Sequence, residues 1–165
     1  MKSTFYIVAA FFIITVSACG QNQKPEKEIQ FPKPVGYVND FGNVFSVREE
    51  KILDSLIKNF EQRSSVQIKV VTLDSTMTTL ERFNSYTLRM ANAWEVGKEK
   101  RNGILIGISP SLQRVRINRG LGVEKALTSV KTKQILDDFM FPELRKGNYF
   151  EGTRIAILEL VRILE

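Results

Sequence analysis

The sequence contains no histidine and a single cysteine, Cys19, among its 165 residues. The lack of histidine excludes a Ser-His-Asp triad, a phosphohistidine intermediate and a metal site built from imidazole ligands. The single cysteine excludes an intramolecular disulfide. If that cysteine is modified, as argued below, any metal must be held by oxygen atoms, which favours Ca²⁺ or Mg²⁺ over Zn²⁺.

Long hydrophobic runs are equally scarce, because residues 5–18 form the one extended example. This run lies just behind the basic residue Lys2 at the start of the chain. It is too short to cross a bilayer as a mature helix, but it suits the hydrophobic region of a secretory signal. We therefore predict a signal peptide over residues 1–18.

The cysteine lies where a bacterial lipobox would place it, directly after Val16, Ser17 and Ala18. In bacterial lipoproteins the signal peptidase cuts before such a cysteine, which then carries a fatty-acyl anchor such as palmitate. A buried thiol is the alternative, although the apolar leader and the polar segment that follows leave Cys19 little to pack against. We expect lipidation at Cys19. Gly20, in place of aspartate, implies that the protein is not retained in the inner membrane.

Proline is rare too, and three of the five prolines lie within residues 25–34. The surrounding segment is polar, so we predict a flexible tether over residues 19–34 and one folded domain over residues 35–165. The expected location is the cell envelope, with the lipid in the membrane. In a Gram-negative host, this would be the outer membrane, with the domain facing the periplasm.

Two helices are predicted in the first half of the domain. Ser46 and Glu49 form a capping box before an amphipathic helix that reaches residue 63. Thr78 and Glu81 repeat this spacing, so we expect them to cap a second helix that ends near Trp94.

Strand patterns separate and follow these helices. Residues 66–73 are rich in β-branched side chains, and residues 103–109 are the most apolar stretch after the leader. Residues 114–119 alternate charged and apolar side chains, which is typical of a strand with one solvated face. The short connection before this last strand predicts an antiparallel hairpin.

The last third of the chain is predicted to be helical. Thr128 caps a helix that carries Ile135 and Phe139, and Pro142 is expected to break it. Residues 150–164 then form a final amphipathic helix.

Together these elements predict an α/β fold, a three-layer α/β/α sandwich around a small mixed sheet. A crossover through the second helix makes strands 66–73 and 103–109 parallel. This topology brings residues 94–102 to the same end of the sheet as Gly120, Gly122 and Glu124. We expect a polar site there, because loops at one end of a sheet often carry function.

The two glycines could form a phosphate-binding loop or the exit from a strand. A dinucleotide loop needs a third glycine and an immediate helix start, whereas Lys125 follows here and the helical pattern begins later. We favour a strand exit in which Gly120 and Gly122 adopt positive φ.

Four stretches of the sequence resemble the TPM domain family, which includes thylakoid-lumen and photosystem-repair proteins. They are VGYVNDFGNVFS (35–46), ANAWEVGKEKRNGILIGIS (91–109), RVRINRGLGVEKALT (114–128) and FPELRKGNYFEGT (141–153). The resemblance covers essentially all of residues 35–165 and implies an α/β/α sandwich. It also implies a range of activities, since members include an acid phosphatase, calcium-binding proteins and assembly factors for membrane complexes.

By position in these motifs, the resemblance implies metal ligands at Asp40, Asn102 and Glu124. Ser129 departs from the family, which usually has aspartate at this position, and the departure removes a possible ligand or catalytic carboxylate. Each ligand also has a structural interpretation. Asp40 could cap the turn before the first helix, and Glu124 could pair with Arg119.

The charge balance is basic, with 24 lysine and arginine residues against 18 acidic residues. Several of the cations should group around the hairpin, and we predict an anion site at Arg116 and Arg119. An ordinary solvated strand face is the alternative. Nucleic acid is not an expected partner, because the chain is directed out of the cytoplasm and shows no recognition motif.

Two functional classes remain open from the sequence. The first is a non-catalytic interaction or assembly module for an envelope protein complex, which binds a divalent cation for stability. The second is a metal-dependent acid phosphatase. The absence of histidine and the serine at position 129 favour the first class.

Overall fold

A mixed sheet of four strands forms the middle layer of the computed structural model, which describes residues 29–165. The predicted signal peptide, Cys19 and most of the tether lie outside the described residues. The strands, in spatial and chain order, are β1 (Val38–Asp40), β2 (Gln67–Thr72), β3 (Gly103–Ser109) and β4 (Arg114–Arg119). The first three strands are parallel, and β4 returns antiparallel to β3. The predicted crossover and hairpin are therefore confirmed.

Helices cover both faces of this sheet. They are α1 (Val47–Ser64), α2 (Phe83–Ala93), α3 (Ser129–Gln134), α4 (Phe141–Leu144) and α5 (Tyr149–Leu164). A π-helical turn, Ile135–Met140, joins α3 to α4. A short 3₁₀ turn, Leu121–Val123, follows β4.

The strand alternation decides which helix meets which face. Ile68 and Ile106 point towards α1 and α5, where they join a core that includes Phe60 and Ile157. On the opposite face α2 packs against β3 and β4. Gly107 allows close packing there, since a Cβ atom at this position would lie 2.7 Å from Cγ2 of Thr87. This arrangement confirms the predicted three-layer sandwich.

The start of α1 follows the predicted capping box. Oγ of Ser46 accepts a hydrogen bond from the backbone N–H of Glu49 at 3.3 Å, and Oε2 of Glu49 accepts one from the N–H of Ser46 at 2.8 Å. The helix ends at Ser65, which adopts a left-handed conformation with a φ of 59°. Reciprocal capping of this kind satisfies two backbone donors that the helix itself leaves unpaired.

The predicted start of the second helix is wrong. α2 begins at Phe83, and no side chain caps its first turn. Thr78 is buried in the preceding loop, where its hydroxyl donates to the carbonyl of Thr79 at 3.5 Å. The carboxylate of Asp74 accepts a hydrogen bond from the N–H of Thr76 at 2.6 Å, which favours a turn in place of a helix.

Pro142 does not break the third helix as predicted. Thr128 caps α3 as expected, with Oγ1 accepting from the N–H of Lys131 at 3.3 Å. The π-helical turn then shifts the hydrogen-bond register, so that Pro142 lies in the first turn of α4. Proline is tolerated there because the first turn of a helix does not use its missing N–H.

The compact unit begins at Phe31, four residues before the predicted start of the domain. The ring of Phe31 contacts the ring of Tyr86 edge-on, with 5.1 Å between centroids. The indole N–H of Trp94 donates to the carbonyl of Pro32 at 2.7 Å. The last residues of the predicted tether therefore pack against α2.

Candidate functional site

Two loops meet at the end of the sheet where β2 and β3 begin. The N–H of Gly120 donates to the carbonyl of Gly103 at 2.8 Å, and the N–H of Gly122 donates to the carbonyl of Arg101, also at 2.8 Å. These bonds extend the β3–β4 ladder past both strand ends. The structure thus brings residues 94–102 together with the glycine pair, as the topology predicts.

Glycine is required here for close packing. A Cβ atom at Gly103 would lie 2.0 Å from the carbonyl oxygen of Val96, and one at Gly120 would lie 2.1 Å from that of Arg101. The predicted positive φ is wrong, since Gly120 has a φ of −76° and Gly122 is not among the positive-φ glycines. Gly120 has an extended backbone and Gly122 lies in the 3₁₀ turn, and neither position has room for a side chain.

A groove of about 370 Å³ opens beside these loops. Three basic side chains, Lys98, Arg101 and Arg119, line it together with the single acid Glu95. Glu95 forms an ion pair with Lys98, three residues further along the chain. The lining is therefore basic, which favours an acidic ligand or partner.

Arg119 is the best-anchored cation of this basic groove. Its Nη2 donates to Oγ of Ser129 at 2.8 Å and lies 3.8 Å from Oε1 of Glu124. Its Nε is buried and has no hydrogen-bond partner within the described residues. Within the described residues, the guanidinium of Arg119 therefore has one neutral partner, Ser129, and one carboxylate, that of Glu124, at the long distance of 3.8 Å.

The predicted ligand Asn102 also lies at this end of the sheet, but it binds the backbone. Its Nδ2 donates to the carbonyl of Ser65, the residue that ends α1, at 2.7 Å. Asn102 therefore ties the loop before β3 to the end of the first helix.

Asp40 is the last residue of β1 and holds the turn that leads into α1. Its Oδ2 accepts a hydrogen bond from the N–H of Phe45 at 2.8 Å, and its Oδ1 accepts one from the N–H of Val44 at 3.0 Å. The hydroxyl of Thr72 also donates to Oδ1. Both carboxylate oxygens are therefore engaged in holding this turn, in agreement with the structural interpretation of Asp40.

The structure does not bring Asp40 together with Asn102 and Glu124. Asp40 pairs with Thr72 at the carboxyl end of β2, whereas Gly103, the neighbour of Asn102, pairs with Gln67 at the amino end. Five residues of strand separate these ends, or roughly 16 Å at about 3.3 Å per residue. The three residues do not form one cation site. Across residues 29–165, no group of three or more Asp, Glu, His or Cys side chains is arranged to hold a metal.

The two predicted anion-binding arginines are also apart. Nε of Arg116 donates to Oδ1 of Asn118 at 2.7 Å, on the face of β4 that α2 covers. Arg119 belongs to the opposite face by alternation and reaches the start of α3. Of these two arginines, only Arg119 lines the basic groove.

Comparison with known families agrees with this fold. A family model described as the TPM domain matches residues 38–163. The chain belongs to the TPM domain family. Among curated proteins, none matches the sequence significantly.

Solved structures of bacterial proteins are similar to this TPM domain. The N-terminal domain of a P. gingivalis protein is 32% identical with a TM-score of 0.69, and the alignment covers 78% of this chain and 81% of that one. The N-terminal domain of a Corynebacterium glutamicum protein is 13% identical with a TM-score of 0.60, covering 83% of this chain and 87% of that one. The BA42 protein of Bizionia argentinensis is 20% identical with a TM-score of 0.57, covering 73% and 81%. The last two similarities show the fold alone.

No helix within residues 29–165 of this TPM domain protein has both the length and the hydrophobicity to span a membrane.

Sequence reasoning missed an acidic group beside the turn of Asp40. Burial raises the pKa of the Glu50 carboxyl, and the nearby charges of Asp40 and Asp54 raise it further. Asp54 itself accepts a hydrogen bond from the N–H of Val38 at 2.8 Å. The four-residue spacing of Glu50 and Asp54 on α1 is visible in the sequence, but their contact with β1 is not, because β1 has only three residues.

Replacing Glu50 with glutamine should raise the melting temperature slightly at pH 7. A raised pKa means that folding disfavours the charged carboxylate, so wild-type stability falls as pH rises through that pKa. The gain should shrink towards zero as the pH falls below the ordinary value of 4.5. Thermal unfolding of the full chain between pH 3 and 7 measures this gain in melting temperature.

Glu49→Gln is the matched control and should give no gain, because the Glu49 carboxylate accepts capping hydrogen bonds from Ser46. A pH-independent effect of Glu50→Gln would contradict the assignment.

Proposed function

We propose that this protein is a lipid-anchored envelope protein whose TPM domain is a non-catalytic interaction module. In this role the domain supports the assembly or maintenance of an envelope protein complex. The lipid at Cys19 attaches the chain to the membrane, and the tether holds the domain clear of it. In a Gram-negative host the domain faces the periplasm from the outer membrane.

The observation that carries this proposal is the engagement of the candidate carboxylates. Asp40 uses both oxygens to hold the turn into α1, and Glu124 faces the guanidinium of Arg119 at 3.8 Å. A hydrolase without histidine needs a carboxylate that is free to attack, to accept a proton or to hold a metal that activates water. Asp40 has both oxygens occupied and lies at the opposite end of the sheet from the basic groove, and Glu124 is paired with the groove's own cation, Arg119.

The basic groove supports an interaction role in a second way. Lys98 and Arg101 are exposed at its rim, while Arg119 is held in place by Ser129. A fixed cation flanked by exposed ones suits an acidic surface of a protein partner, since such charges steer association and orient the encounter. Nucleic acid is not the proposed partner, because the signal peptide predicted over residues 1–18 would direct the chain out of the cytoplasm.

A divalent cation remains part of the proposal only as a stabilising ion. Asp40, Asn102 and Glu124 do not fit a shared site, because the register of β2 places Asp40 at the far end of the sheet. We therefore assign no chemical step to Ca²⁺ or Mg²⁺.

The alternative function is a metal-dependent acid phosphatase. The basic groove favours it, because three cations around a cavity of about 370 Å³ could hold a phosphate monoester. For this function, Glu124 would have to leave Arg119 and act as the nucleophile. Otherwise a metal bound by backbone oxygens would have to activate a water molecule as the nucleophile.

An assay on the full-length chain separates the two functions. We expect no hydrolysis of p-nitrophenyl phosphate above the metal-only blank between pH 4 and 8, with Ca²⁺, Mg²⁺ or Mn²⁺ present. Turnover that is lost in Asp40→Asn or Glu124→Gln but kept in the control Glu99→Gln would establish the phosphatase. Calorimetric titration of the same proteins with Ca²⁺ shows whether any of these carboxylates holds a cation.

Cys19→Ala tests the anchor in the native host. The wild-type chain should fractionate with membranes and incorporate labelled palmitate, because its cysteine is acylated. The variant should incorporate no label, because alanine has no thiol to acylate. Equal labelling of both proteins would contradict the lipoprotein assignment.

A further inference from the structure

A second groove, of about 540 Å³, lies at the opposite end of β4 from the basic groove. The β3–β4 hairpin forms one wall, and the turn between α4 and α5 forms the other. We call it the hairpin groove. Its size falls within the range of sites that hold a small ligand or a few residues of a peptide.

Two arginines in this groove have no partner among residues 29–165. Arg114 begins β4 and Arg145 follows α4, and both are exposed. Among the described residues, neither side chain takes part in a hydrogen bond or ion pair, and no acidic residue lines the groove. Guanidinium groups without partners bind carboxylates strongly and with defined geometry. The positive charge of this groove therefore favours the binding of an anion.

The remaining walls of the hairpin groove are apolar. Val115, Phe141, Leu144 and Tyr149 line it, and each is only partly buried. Binding is more favourable when a ligand covers exposed apolar surface in a cavity. A ligand for this groove thus combines negative charge with an apolar side chain.

The backbone of β4 offers a third means of recognition. β4 is the last strand of the sheet, so one edge has no neighbour within the described chain. The N–H of Gly120 donates to the carbonyl of Gly103. In the antiparallel register, the backbone N–H and C=O groups of the even-numbered residues of β4 therefore point towards β3. The N–H and C=O of Val115 consequently point away from the sheet, beside the groove. No hydrogen bond from residues 29–165 uses them.

We propose that the hairpin groove binds an extended acidic segment of a partner protein, which adds as a strand to the start of β4. The backbone of the segment pairs with Val115, its carboxylates bind Arg114 and Arg145, and an apolar side chain fills the groove between them. Strand addition to a free sheet edge is a common mode of peptide recognition. The inference rests on the interaction role proposed above, to which it adds the partner's chemistry and the place where it binds.

A peptide fits these features better than a small anion or a membrane. Inorganic phosphate would use the two guanidiniums alone and leave both the apolar wall and the strand edge without a role. An anionic membrane is a broad surface that cannot pair with the backbone of one strand.

Fluorescence anisotropy with the full-length chain tests the proposal. The probe is a fluorescein-labelled heptapeptide of alternating glutamate and valine, and the control peptide has lysine in place of glutamate. The double variant Arg114→Gln/Arg145→Gln should weaken binding of the acidic peptide by about tenfold or more, the loss of roughly 1.4 kcal/mol. Lys58→Gln/Lys125→Gln makes the same change in charge outside the groove and should leave binding within about twofold of wild type.

Hydrogen exchange supplies the readout specific to strand addition. The amide of Val115 should exchange more slowly when the acidic peptide is bound. Equal binding of both peptides, equal binding by the two double variants, or an unchanged amide at Val115 would each overturn the proposal. So would arginine-dependent binding to phosphatidylglycerol vesicles in place of the peptide, since the groove would then serve a membrane. These failures leave the non-catalytic role intact, whereas phosphatase turnover would overturn that role whatever the groove binds.

Discussion

The carboxylate of Asp40 joins the end of β1 to β2 and to the turn before α1, and the rest of the fold depends on this junction. It accepts hydrogen bonds from two successive backbone N–H groups before α1 and from the hydroxyl of Thr72 on the neighbouring strand. The same hydroxyl accepts a hydrogen bond from the N–H of Gly42 at 2.8 Å. This network fixes β1 against β2, places Phe45 in the core and sets Ser46 at the start of α1. The residue that the family motif suggests as a ligand thus performs a structural task in this chain.

The two ends of the sheet carry different surfaces as a consequence of the topology. At one end, the loops before β3 and after β4 pack directly against each other through their glycine backbones, beside Arg119. At the other end, the hairpin and the turn before α5 leave a larger groove with an apolar wall. An interaction module can use both ends, because neither groove is lined by Asp40.

Much of the fold follows from local patterns in the sequence. β3 and β4 match the predicted ranges, and the capping box of α1 is formed as expected, since periodicity and capping are local properties. Thr78 shows the limit of such reasoning, because the competing turn at Asp74 delays the helix. Pro142 shows another limit, since a π-helical turn is not visible in residue spacing.

The candidate site could be predicted only in part. The meeting of residues 94–102 with the glycine pair follows from the crossover and the hairpin. The position of Asp40 does not, because β1 is too short to recognise and its pairing with β2 decides which end of the sheet it occupies. The most direct measurement is therefore the unfolding free energy of Asp40→Asn in urea, beside Glu124→Gln. A structural Asp40 predicts a loss of about 2–4 kcal/mol for the first and under about 1 kcal/mol for the second. An Asp40→Asn chain as stable as wild type, but with altered Ca²⁺ binding, would contradict the account and return Asp40 to the role of a ligand.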